Sequence, residues 1–176
     1  LKALSSEAPA EAAFRAVIRT YGLLERAMHP HFARFGISAS QWGVLRALYR
    51  AEQGGREGMR LTDLSERLLV RPPSVTGVVA RLEREGLVVR GSSPGDRRAK
   101  RVRLTEAGRE VLRRVLEVHG RQVQNVMAGL DAQRCGELWR LLEQLQFHLD
   151  AVVEASAEVP GRAGRGGDKA EMRIET

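Results

Sequence analysis

Of 176 residues only one, Cys135, is cysteine. A lone thiol excludes an internal disulfide, a thiolate zinc cluster and an iron–sulfur site. Aromatic residues make up 5% of the chain against 43% hydrophobic overall. The core must therefore be built from Leu, Val and Ala, which suits helices. No apolar run reaches the roughly 18 residues that a membrane span needs. The first thirty residues are broken up by Glu7, Glu11, Arg15, Arg19, Glu25 and Arg26 and do not read as a signal peptide. These absences point to a soluble, cytoplasmic protein with no membrane partner. No Ser/His/Asp, Cys/His or paired-acid constellation is present, so no catalytic residues, no cofactor and no enzyme are expected. His29-Pro30-His31 is not a metal pair, because side chains two apart diverge on a helix and no cysteine or carboxylate nearby completes a set. Cys135 reads as a structural or incidental thiol.

Lysine is also scarce, with 3 Lys against 26 Arg, yet the net charge is +7. The charge is unevenly placed. Residues 1–59 carry a net +3, residues 60–114 a net +7 and residues 115–176 a net −3. A basic middle between less basic ends suggests a nucleic-acid-binding module on a scaffold, with a solvated surface as the alternative.

Hydrophobic spacing places the elements. Phe14, Val17, Ile18, Tyr21, Leu24 and Met28 recur at helical intervals, predicting an amphipathic helix over roughly 9–34. Ser38-Ala39-Ser40-Gln41 is a capping-box pattern, and Ile37 can staple against Trp42 at the start of the next helix. After a glycine-marked loop (Gly54, Gly55, Gly58), Thr62 is expected to cap a short helix from Asp63 to about Leu69. Arg71-Pro72-Pro73 breaks the chain, and the prolines fit a first helical turn. The next helix runs to about Glu85 with Val75, Val78, Val79 and Leu82 inward, and Gly86 suits its left-handed end. Residues 87–90 and 100–104 read as strands joined by turn-forming Gly91 to Asp96, a basic β-ribbon. Thr105 caps a long helix. Asp131 opens the last one, whose Leu138, Leu141, Leu142, Leu145, Leu149 and Val152 have near-heptad spacing.

The expected fold is mainly α with a small β-wing: a winged helix-turn-helix module on a helical dimerisation domain. A helix of about 10–12 Å diameter fits the major groove of B-DNA. The helix from Pro72 to Glu85 has Ser74, Gly77, Arg81 and Arg84 opposite its valines. Gly77 either admits a base edge or backbone closely or is a tolerated glycine. Arg81 and Arg84 are suited to phosphate contact or to pairing with Glu85.

Several runs together resemble the MarR family of bacterial and archaeal winged-helix regulators, over about residues 10–150. They are Leu61-Thr62-Asp63-Leu64-Ser65-Glu66, Pro73-Ser74-Val75-Thr76, Leu82-Glu83 with Glu85-Gly86-Leu87-Val88, Asp96-Arg97-Arg98, and Val102-Arg103-Leu104-Thr105 with Glu106-Ala107-Gly108. The resemblance implies a homodimer joined through the terminal helices, a fourth helix in the major groove and a wing arginine in the minor groove. The wing arginine would be Arg98, with Asp96 as the acid that orients it. Independently of the resemblance, Asp96 can fix the Arg98 guanidinium through a charge-assisted pair on a tight loop, pre-orienting it for a narrow, strongly negative groove. Gly77 departs from the large polar or basic residue that many relatives carry there.

The expected boundaries are 1–35 for an N-terminal dimerisation helix, 36–108 for the DNA-binding module with its wing at about 87–104, 109–156 for C-terminal dimerisation helices and 157–176 for a flexible tail. Expected DNA contacts are Thr62, Arg71, Pro73, Ser74, Thr76, Gly77, Arg81, Asp96, Arg97, Arg98 and Lys100. The partner is double-stranded DNA with a pseudo-palindromic operator, since a two-fold dimer sets two reading helices about 34 Å apart. The resemblance also implies a small effector, often aromatic or phenolic, near His29, His31, Phe32, Phe35, Trp42 and Tyr49. The expected function is a repressor that the effector releases. The alternative is an architectural or weakly specific DNA binder, suggested by the Arg/Gly tail.

Overall fold

The computed structural model describes residues 8–93 and 96–157, with side chains described except at 92, 93, 96–99 and 157. The chain divides into two compact units, residues 1–128 and 129–176. Most of the tail expected at 157–176 lies outside the described residues.

In the first unit the order is α1 (Pro9–Ala33), α2 (Ala39–Gln53), α3 (Leu61–Leu68), α4 (Pro72–Arg84), β1 (Val88–Ser93), β2 (Asp96–Leu104) and α5 (Glu106–Met127). The start of α2 follows from four residues. The Ser38 hydroxyl accepts the Gln41 backbone N–H at 3.2 Å, and the Gln41 amide oxygen accepts the Ser38 N–H at 2.8 Å. Two otherwise orphaned donors are thereby satisfied. Ile37 and Trp42, the expected staple, are both buried.

The start of α3 differs from expectation. Its N-cap is Arg60, and Thr62 lies inside the helix. Asp63 performs the capping: its carboxylate accepts the Arg60 N–H at 3.2 Å and the Thr62 hydroxyl at 3.3 Å. A third-position carboxylate reaching back satisfies the first donor better than a hydroxyl already within the helical turn.

Helix α4 begins with Arg71 extended, as a residue before proline must be, and with Pro72 and Pro73 in the first turn. It ends where Gly86 turns left-handed at φ 70°, and Leu87 N–H returns to Leu82 C=O at 2.9 Å. The strands that follow are longer than expected. They pair antiparallel from Val88↔Leu104 to Ser93↔Asp96, with an irregularity between Ser92 and Ser93. Asp96, Arg97 and Arg98 therefore belong to the backbone of β2 rather than to a tight loop. A one-residue bridge, Met59↔Val102, adds the α2–α3 loop to the ribbon.

These elements enclose one core. Leu45 and Leu48 of α2, Leu64 of α3, Val75, Val79 and Leu82 of α4, Val102 of β2, and Leu112 and Val115 of α5 are essentially inaccessible. Each such side chain contributes about 1.5–3 kcal/mol relative to exposure. Where α5 meets the root of the wing there is no room for a side chain: a Cβ on Gly108 would sit 2.0 Å from the Leu87 carbonyl oxygen. That same oxygen accepts the Thr105 N–H at 3.1 Å, while the Thr105 hydroxyl caps α5 through Gly108 N–H at 3.0 Å. Arg109 locks the other side. Its guanidinium forks onto Glu52 at the end of α2 at 3.1 and 3.2 Å and donates to the Leu104 carbonyl at 3.3 Å.

The second unit contains α6 (Ala132–Ala157). Asp131 opens it as expected, its carboxylate accepting the Arg134 N–H at 2.8 Å. The leucine stripe is exposed or half-exposed, and apolar residues extend beyond it: Trp139, Phe147 and Val153 are all exposed. Among the described residues, no helix is long and apolar enough to cross a membrane.

Candidate nucleic-acid interface

The geometry that matters is how α4 is held. Val75, Val78, Val79 and Leu82 fix one face in the core, and Pro73, Ser74, Thr76, Arg81 and Arg84 stand in solvent on the rest. Gly77 lies among them, with nothing within 4 Å of where a side chain would begin. Packing therefore does not require glycine there, although glycine in a helix costs roughly 1 kcal/mol against alanine. The Thr76 hydroxyl donates to the Pro72 carbonyl at 2.9 Å, so its proton is already used within the helix.

Side-chain links fasten the C-terminal end of α4 and the turn that precedes it. At the C-terminal end the Gln41 amide donates to the Glu85 carboxylate at 2.6 Å, tying it to the capping box of α2. Glu85 is thus engaged with Gln41 rather than with Arg81 or Arg84, and Arg84 Nε donates to its own helix at Ala80 O, 3.4 Å away. Glu83 ties α4 to the wing: its carboxylate accepts the Arg90 backbone N–H at 3.3 Å and pairs with the Arg90 guanidinium at 3.3 Å. In the turn before α4 the Ser65 hydroxyl donates to Val70 O, and Val70 N–H returns to Ser65 O at 3.2 Å. The turn between α3 and α4 passes through Leu69, which is left-handed at φ 53° and 86% exposed.

The expected contacts fall in three places. Thr62 is exposed on α3, Arg71 to Gly77 and Arg81 are on α4, and Lys100 is exposed on β2. The side chains of Asp96, Arg97 and Arg98, and with them the expected Asp96–Arg98 pair, lie outside the described residues. Arg101 and Arg103 alternate with buried Val102 and Leu104 as expected, but both are half-buried. Arg101 spends one N–H on Gly58 O at 3.2 Å.

The residues expected around an effector do not share one cavity. Phe32 and Trp42 stack at 5.7 Å and are buried. His31 is buried edge-on to Phe32 and Phe35. His119 of α5 completes the cluster, 5.0 Å from the Trp42 ring, with its Nδ1 3.5 Å from His31 Nε2 and its Nε2 3.3 Å from Arg46. Burial pushes both imidazoles below their ordinary pKa. Arg34 adds to the effect at His31, and Arg46 and His31 add to it at His119. Tyr49 is half-buried against the core. His29 is exposed and lines a 500 Å³ depression with Glu25, Arg26 and Ser38 to Ser40. A second, mainly apolar cavity of 440 Å³ lies between α1, α2 and the α3–α4 turn, and Phe32 is the one expected residue on its wall. His119 was the residue sequence reasoning missed, because 88 positions separate it from His31. Among the described residues, no three His, Cys, Asp or Glu are placed to hold a metal.

Comparison with known proteins agrees with this architecture. A MarR family model matches residues 35–99. The chain is 30% identical over 113 residues to the HTH-type transcriptional regulator YkoM of Bacillus subtilis, covering 64% of this chain and 70% of that protein. It is 29% identical over 115 residues to the homoprotocatechuate degradative operon repressor of Escherichia coli, covering 65% and 74%. Among solved structures it superposes on Sco5413, a MarR family transcriptional regulator from Streptomyces coelicolor, with a TM-score of 0.70 and 26% identity over 82% of this chain and 98% of that one. An exposed helix anchored in a helix-turn-helix, an adjoining two-stranded wing and these matches have one reading: the chain belongs to the MarR family of winged-helix transcriptional regulators.

Proposed function

We propose that this regulator acts in the cytoplasm as a homodimer that occupies a pseudo-palindromic operator and represses transcription until a small effector releases it. The observation that carries this reading is the presentation of α4. One face is locked by four buried residues and the C-terminal end is fastened by side chains, while Pro73, Ser74, Thr76 and Arg81 face solvent beside half-buried Gly77. A rigid helix so presented can enter a major groove without losing its packing. Thr62, Arg71 and Lys100 supply phosphate contacts beside it, and Arg97 and Arg98 extend the basic ribbon toward the minor groove, with Asp96 orienting Arg98.

The two-fold assembly is supported by apolar surface exposed on each unit taken by itself. On α1, Phe14 is 66% exposed, with Ile18 and Tyr21 similarly open, and α6 carries its leucine stripe. Monomeric proteins rarely leave such faces in water. We place dimerisation in residues 1–35 and 109–156 and DNA reading in residues 36–108. Repression is the mode named for the Escherichia coli relative.

The test is affinity for DNA flanking the protein's own gene against random DNA at physiological salt. A specific regulator shows a preference of about 10³ or more. A preference below about tenfold would favour an architectural binder.

A further inference from the structure

Gly77 sits in the middle of α4 with no reason inside the chain to be glycine. Its backbone is ordinary helix and not left-handed. A Cβ there would meet nothing within 4 Å. Glycine destabilises a helix interior, so alanine would serve the fold better. A demand for open space at this position comes from outside the chain, and the direction in which Gly77 points says from where. Successive residues turn about 100° around a helix. Val75, Val78, Val79 and Leu82 set the buried direction. Pro73, Gly77 and Arg84 come round to the opposite side, with Ser74 and Arg81 on one shoulder and Thr76 and Ala80 on the other.

The hollow at Gly77 is apolar. The N–H and C=O of Gly77 belong to the helical hydrogen-bond ladder, so neither is free for a base. Next to it, the Thr76 hydroxyl has given its proton to the Pro72 carbonyl at 2.9 Å, and Arg84 Nε is turned back on Ala80 O at 3.4 Å. Pro73, Ser74, Ala80 and Arg81, three and four residues away, surround the hollow. On the major-groove edges of the base pairs, every distinguishing feature but one donates or accepts a hydrogen bond. The exception is the thymine C5-methyl group. We propose that Gly77 is a specificity-determining residue whose missing side chain receives a thymine methyl, so that each half-site carries a thymine where α4 lies deepest in the groove.

This rests on the reading of α4 as the groove-reading helix. Residues toward the N-terminal end of such a helix are the ones that meet base edges, and Gly77 lies in the first half of the 13 residues of α4. Ser74 and Arg81 supply hydrogen bonds beside the methyl and fix the register, while Gly77 reads by shape. A cytosine at the same place lacks the methyl and leaves the hollow unfilled. An adenine or guanine there sets its N7 acceptor against a floor that holds no donor for it.

Replacing thymine by uracil removes the methyl and leaves the hydrogen-bonding edge as it was. The full chain is titrated by fluorescence anisotropy against an operator drawn from random duplexes by repeated selection, with each thymine changed in turn. One thymine in each half-site should weaken binding about fourfold on becoming uracil, which corresponds to one buried methyl group. Gly77→Ala fills the hollow. It should raise the melting temperature, weaken binding to the thymine operator by about fourfold or more, and bind better rather than worse when that thymine becomes uracil. An operator with no uracil-sensitive thymine overturns the proposal. So does a uracil penalty that survives in Gly77→Ala, since another residue then reads the methyl. A lower melting temperature of Gly77→Ala overturns the premise that the fold has no use for the glycine. A chain that selects no operator overturns the reading of α4 itself, a result distinct from an operator bound without regard to its methyl groups.

Discussion

His31 and His119 show what a buried pair of weak bases does to stability. Both face guanidinium groups, both are partly or fully removed from water, and both are held below the ordinary histidine value of 6.5. As pH falls through about 6.5, the unfolded chain takes up protons that the folded chain refuses. Stability from this pair is therefore complete above that value and is lost progressively below it, down to the folded-state pKa. Urea unfolding between pH 7.5 and 5 should show this decline, and His119→Gln should make it shallower. A wild-type profile that is flat, or one that rises toward acid, would contradict the placement of the two rings. A second residue-scale feature is Leu69. A left-handed non-glycine residue is uncommon and costs about 1–2 kcal/mol. Because its side chain is 86% exposed, little burial is lost on removing it. Leu69→Gly should raise stability by about 1 kcal/mol, offset in part by the freer unfolded chain. A lower melting temperature would mean that the leucine side chain holds the turn.

At the scale of elements, the features readable in the sequence are those set by neighbours along the chain. Ser38 and Gln41 announce α2 because a capping box needs only four consecutive residues. Val75, Val78, Val79 and Leu82 announce the buried face of α4 by period alone, and Gly86 announces its end. Thr62 misled because the helix starts two residues earlier than a Thr62 cap would place it, with Asp63 reaching back to the Arg60 N–H. The turn at Leu69 carries no glycine to mark it. The links that fasten α4, Gln41 to Glu85 and Glu83 to Arg90, join residues that sequence spacing does not bring together. The residues expected around an effector line no common cavity for a related reason. Clustering in sequence places Trp42 and His29 near each other, but the helical turn sends one into the core and the other into solvent. The wing is a single element with a single proposed reader. Arg98→Ala should weaken operator binding by about 1–3 kcal/mol if the side chain inserts beside bases. Unchanged affinity in a gel-shift titration at moderate salt would remove the wing from the mechanism.

The whole molecule divides its labour by charge and hydrophobicity. Residues 60–114 hold an excess of positive charge equal to that of the entire chain, while α1 and α6 present apolar faces. The basic part suits a polyanion and the apolar part a second copy. Leu142→Glu together with Leu145→Glu should yield a monomer in sedimentation analysis and abolish operator binding, because two half-sites are then no longer bridged. A stable monomer that binds with full affinity would break the link between assembly and function. The most direct test of the account is footprinting of the dimer on DNA flanking its own gene. The account predicts two protected segments on one face of the duplex, centred about one helical turn or 34 Å apart, and resistant to excess random DNA. One protected segment, or protection that random DNA removes, would contradict it.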